Sequence, residues 1–68
     1  MRQAVVCRGE EGRWVAECLS LPGCVSQGST REEAIGNVRE AIRLYIEVLE
    51  ENSLPVPDER FDTLLVAV

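Results

Sequence analysis

The chain has 68 residues, 46% of them hydrophobic and 28% charged, with twelve acids against seven arginines and a net charge of −5. That composition is globular rather than disordered, the length allows one domain with no internal repeat, and the acidity argues against a phosphate-backbone ligand, which calls for clustered basic residues. A domain this small buries only about 60% of its unfolded surface, so support from a partner or a second copy suits it.

In chain order, QAVVCR and RWVAECL are runs rich in β-branched and aromatic residues, separated by GEEG. They predict a β-hairpin, with the two glycines free to take the positive φ of a tight connection. In the second run Trp14, Ala16 and Cys18 alternate with Val15 and Glu17, which predicts one core face and one partly wet face. Pro22-Gly23 then marks a turn, and GCVSQG is a third short strand that Gly28 ends. Thr30 followed by Glu33 has the spacing of a capping box, and Glu32 and Glu33 suit the positive end of a helix.

From there Ala34, Ile35, Val38, Ala41, Ile42, Tyr45, Ile46, Val48 and Leu49 fall within an arc of roughly 160° at helical spacing. Glu32, Arg39, Glu40, Arg43, Glu47 and Glu50 lie outside it. An amphipathic helix over about residues 31 to 51 is expected, with Asn52 as its stop and Pro55 and Pro57 barring continuation. Leu44 falls outside the arc, either as an isolated exposed residue or as part of a contact surface. Gly36 costs a helix about 1 kcal/mol relative to alanine, and from the polar side a close approach is the reason it offers. RFDTLLVAV predicts a last strand with both faces apolar, Leu64, Val66 and Val68 on one of them. A strand of that kind is buried on two sides or completed by another chain, and a homodimer or higher homo-oligomer follows. The order β-β-β-α-β is an α+β layer, one antiparallel sheet with one amphipathic helix packed on it.

Chemistry is sparsely provided. There is no histidine and no lysine, so a serine or cysteine nucleophile would lack an ordinary general base. Cys7, Cys18 and Cys24 are odd in number and match neither a C-x-x-C pair nor the close ligand pairs of a zinc site. They read as reduced, mostly buried thiols acting as small hydrophobes. Among strand residues only Glu17 and Asp62 are acidic, at best half of a two-metal cluster. No enzyme, metal or cofactor is expected. The acids that do cluster, Glu47, Glu50 and Glu51, sit at the negative end of the helix dipole, where like charges repel. With Glu10 and Glu11 of the hairpin they form either solvated surface or an acidic patch for a basic partner. No apolar run approaches the roughly 20 residues that span a bilayer. The N-terminal MRQAVVCRGEEG also lacks a secretory pattern, so a cytoplasmic protein off the membrane is expected.

The stretch from GRWVAECLSLPGCVSQGSTREEAIGNVREAIRLYIE to LPVP resembles the HicB family of antitoxins. Leu21, Pro22, Gly23 and Cys24 match that family's turn, and Gly28, Thr30, Glu32, Glu33 and Ala34 match its helix start, with a departure at Leu19 and Ser20. The resemblance implies a single HicB-like domain over residues 1–68, a reduced ribonuclease-H-like fold without catalytic carboxylates. Pro22, Gly23 and Cys24 would then shape the turn, while Gly28, Thr30 and Glu33 pin the helix. It also implies a partner, a small basic HicA-like toxin that cleaves messenger RNA and is masked by the antitoxin. Glu10, Glu11, Glu47, Glu50 and Glu51 are the candidate toxin contacts. Many family members add a C-terminal DNA-binding segment; no separate one is expected here, and direct nucleic-acid binding is not carried over. The rival expectation is an orphan homo-oligomeric module that has no toxin.

Overall fold

The computed structural model describes residues 2–59, 64 and 66–68. Three strands, β1 (Val5–Arg8), β2 (Trp14–Glu17) and β3 (Val25–Gly28), form an antiparallel sheet in that order, and one helix, α1 (Arg31–Glu51), lies on it. Val6 pairs with Ala16, and Ala16 with Ser26. Cross-strand partners share a face, so Val6, Ala16 and Ser26 point toward the helix while Val5, Cys7, Val15, Glu17, Val25 and Gln27 point away. The alternation read from Trp14, Ala16 and Cys18 holds, with Ala16 and Cys18 fully buried.

The hairpin differs from expectation in one respect. Gly12 has φ +74 as anticipated, but its companion in the left-handed region is Glu11 at φ +60, not Gly9. Gly9 stays extended, and its role is one of space, since a Cβ there would come within 2.9 Å of Val15 Cγ2. Across the mouth of the hairpin the Arg8 guanidinium stacks over the Trp14 ring, 5.2 Å from its centroid.

Two core clusters follow the length of α1. Under its first half, Ala34 and Val38 bury against Ala16 of the sheet, flanked by Val6, Trp14 and Ile42. Under its second half the buried residues are Cys18, Leu21 and Cys24 of the turn, against which Ala41, Ile42, Tyr45 and Ile46 pack half-buried. The cause is a mismatch of lengths: the 21 residues of α1 extend about 31 Å, whereas a four-residue strand covers about 13 Å. The helix overhangs the sheet, and the turn from Cys18 to Cys24 fills the space beneath.

Asn52 caps α1 as expected, its Nδ2 donating to the Val48 carbonyl at 2.8 Å, and Ser53 follows with φ +55. The last strand expected over residues 60–68 falls mostly on residues outside those described. Of the rest, Leu64 and residues 66–68 form no strand and are exposed.

Candidate protein-interaction surface

The junction from Cys18 to Ala34 is pinned at both ends. Cys18 N–H donates to the Cys24 carbonyl at 2.9 Å, and within that loop Cys24 N–H donates to the Leu21 carbonyl at 3.0 Å. Pro22 and Gly23 occupy the middle of this inner turn, where φ +79 at Gly23 demands a glycine. Tyr45 Oη donates to the Pro22 carbonyl at 2.9 Å, tying the turn to the overhanging half of α1. At the other end Thr30 Oγ1 accepts from Glu33 N–H at 3.0 Å, while the Glu33 carboxylate reaches back to Ser29, accepting from its N–H at 3.0 Å. A Cβ on Gly28 would lie 2.7 Å from the Ala34 nitrogen. Gly28 is therefore required by the contact between β3 and the first turn of α1, beyond its role in ending the strand.

Ser20, where the turn departs from the family pattern, is buried with its hydroxyl accepting from Arg2 Nη1 at 3.0 Å. The same guanidinium donates through Nη2 to the Pro57 carbonyl at 2.5 Å, and Gln3 N–H bonds the Glu59 carboxylate. Residues 57–59 are thereby held beside the start of β1. Sequence spacing carries no signal for this link, because its members lie 18 to 56 positions apart.

Of the three cysteines, Cys18 and Cys24 are buried and Cys7 is exposed. Burial raises the Cys24 thiol above its ordinary range, with the neighbouring Cys18 adding to the effect. Cys7 departs from the buried reading because Val6 faces the core and its strand neighbour must then face the uncovered side of the sheet. Glu17 shares that side, between Val5 and Val25. Asp62, its suggested companion, lies outside the described residues. Among the described residues no three histidine, cysteine or acidic side chains converge as a metal site would need.

The five candidate contact acids do not form one patch. Glu10 and Glu11 sit in the hairpin beyond Trp14, which pairs with Gly28 at the end of the sheet where α1 begins. Glu47, Glu50 and Glu51 lie in the last turns of α1, at the opposite end, where Tyr45 meets Pro22. Glu47 is itself engaged by Arg43 at 3.1 Å, and the same guanidinium holds Glu40 at 2.5 Å. The hydrogen bond and charge of Arg43 lower the Glu40 pKa below the ordinary carboxylate value.

Two apolar grooves flank the helix. One, of about 440 Å³, runs between β3 and the second half of α1, over Cys24, Val25, Ala41, Leu44, Tyr45 and Val48. Leu44 and Val48 are 47% and 54% exposed there, and Val25, on the outer face of β3, borders the groove at the strand edge. Leu44 is thus not isolated. Val48 leaves the core arc to join it, because among the described residues no strand runs beneath that turn of the helix. The second groove, of about 650 Å³, runs between the start of β1 and the other flank of α1, lined by Ile35, Val38, Ile42 and Ile46. Gly36 faces open space, since a Cβ there would meet nothing within 4 Å. No close approach requires it. Among the described residues no helix is long and apolar enough to cross a membrane.

This is an α+β domain of one helix on a three-stranded antiparallel sheet, with apolar and acidic side chains displayed along the helix. The chain belongs to the HicB-like antitoxin family of bacterial toxin-antitoxin systems, whose pattern it matches over residues 3–65. It is 37% identical over 62 residues to a UPF0150 protein of Thermoplasma acidophilum, covering 91% of this chain and 90% of that one. A UPF0150 protein of Synechocystis is 55% identical over 49 residues, 72% of this chain and 62% of its own. One of Helicobacter pylori is 47% identical over 51 residues, 75% and 69% of the two chains. No solved structure matches the chain.

Proposed function

We propose that this chain is a non-enzymatic antitoxin that binds a small basic HicA-type ribonuclease and masks its messenger-RNA-cleaving surface in the cytoplasm. The observation that carries the reading is the family match over residues 3–65. The net charge of −5 supports it: opposite charge speeds encounter with a basic partner and disfavours acidic ones. A stable complex also needs roughly 1,200 to 2,000 Å² of buried surface in total, and the grooves beside α1 provide apolar area for it. Contact by Glu10, Glu11, Glu47, Glu50 and Glu51 then comes from two ends of the molecule, so a partner reaching all five spans the length of α1.

The family match also supports a reduced ribonuclease-H-like fold, with Leu64, Val66 and Val68 as the residues that carry contacts between copies. The exposure of those three side chains also favours a second reading, an orphan homo-oligomer without a toxin.

The test is to purify the tagged protein from its own cells at low and moderate salt and identify what accompanies it. Recovery of a small basic protein that cleaves RNA alone but not in the complex is the expected result. Recovery of only the chain itself, as a defined oligomer, would overturn the antitoxin reading in favour of the orphan module.

A further inference from the structure

We propose that the groove between β3 and the second half of α1 docks an amphipathic helix with basic flanks, presented by a partner protein. The inference rests on the reading that this chain binds a basic protein, and it names the surface and the shape of what is bound. The floor of the groove is apolar and half open to solvent, and it is continuous along α1 from Ala41 through Leu44 to Val48. Those seven residue steps extend about 10 Å, two helical turns, and present one small residue followed by two larger ones. Ala41 leaves the hollow into which an anchor from a facing helix fits, and Leu44 and Val48 form the ridge beside it.

The rim supplies the charge preference. Glu40, Glu47 and Glu51 stand at i−4, i+3 and i+7 from Leu44, on the solvent side of the groove. They set three carboxylates against the single Arg43 guanidinium that bridges two of them. The last turn of α1 carries no basic residue to offset its own negative end. A helix whose apolar stripe is bordered by arginine or lysine satisfies floor and rim together. A second copy of this chain does not, because it would bring its own carboxylates against these.

An extended strand is also disfavoured. Ladder bonds of β3 to β2 fall at Cys24, Ser26 and Gly28, which leaves the outward groups of Val25 and Gln27 on the free edge. The Gln27 carbonyl is already occupied by Asn37 Nδ2 at 2.8 Å. That occupied carbonyl interrupts the edge for an added strand, whereas a helix needs none of these groups.

The test is a titration of the full ¹⁵N-labelled chain with a lactam-stapled helical peptide bearing a Leu/Ala stripe flanked by arginines. A matched peptide with glutamates for the arginines is the control. The expected result is amide shifts centred on Val25, Ala41, Leu44 and Val48, weakening as salt rises and absent with the acidic peptide. Leu44→Glu, and separately Val48→Glu, should lower the affinity at least tenfold while the spectrum stays dispersed. Binding elsewhere, equal binding of the two peptides, or no binding overturns the proposal. So does a dimer of the free chain that Leu44→Glu dissociates, which would give the groove to a second copy. If a basic ribonuclease is still inhibited when the peptide fails to bind, the groove is wrong and the antitoxin reading stands. If the peptide docks as expected but no ribonuclease is inhibited, the groove stands and the antitoxin reading falls.

Discussion

The two halves of α1 are held in different ways. The first half rests on the sheet, with Ala34 and Val38 buried and its first turn fixed by Thr30, Glu33 and the bare backbone of Gly28. The second half rests on a turn, and its own apolar residues are half-buried or exposed, Leu44 and Val48 most of all. The same helix is thus core at one end and exposed apolar surface at the other. Among the described residues the short sheet leaves the last turns of the helix uncovered, and an uncovered stretch can carry binding residues that stability does not use.

The largest effect should come from the residue on which the second half leans. Leu21 is fully buried beneath Ala41, Ile42, Tyr45 and Ile46. Leu21→Ala is expected to cost about 2–5 kcal/mol, read by denaturant melts. Amide exchange should show protection lost in the last turns of α1 before the first; equal loss along the helix would dissolve the distinction between its halves. Gly28→Ala comes next. Its Cβ meets the Ala34 nitrogen, which cannot swing aside as a side chain would, and the repacking should cost about 1–3 kcal/mol. Thr30→Ala removes one cap acceptor and should cost about 1 kcal/mol, or about 4–8 °C in Tm for a domain of this size.

The difference between the halves is only partly legible in the sequence. Periodicity locates α1, and the Thr30–Glu33 spacing fixes its start, because both are local properties of the chain. The arc drawn from periodicity places Val48 with Val38, however, since a helical wheel carries no information about how far the sheet extends beneath it. Cys7 escapes for a related reason: its apolar neighbours suggest burial, but only the pairing of Val6 with Ala16 decides which strand face is covered. The five candidate contact acids form two local clusters along the chain, and their separation to opposite ends of the molecule depends on the register of β2 with β3. Arg2, which joins Ser20 to Pro57, leaves no trace at any fixed spacing.

Gly36 belongs to the sheet-supported half yet faces solvent, and it sharpens the comparison from the opposite direction. With a negative φ and nothing within 4 Å of the point a Cβ would occupy, Gly36→Ala should raise stability by about 0.4–1 kcal/mol, mainly by restricting the unfolded chain. A fall in Tm would mean that the exposed side of this half carries a packing constraint after all.

The smallest stability effect is expected at Leu44, and it decides whether the second half is a display surface. Its side chain is about half exposed and belongs to neither core cluster, so Leu44→Ser should change unfolding free energy by no more than about 0.5 kcal/mol. Ala41, one turn earlier and packed against the buried turn, provides the contrast: a polar group there must disturb Leu21 and Cys24. If Leu44→Ser instead costs as much as a core truncation, the residue is supporting the fold through contacts with the turn, and the groove cannot be altered for binding without loosening the helix. If stability is unchanged while partner affinity falls, folding and recognition occupy separate residues on one helix. That separation is what the overhang beyond the sheet makes available.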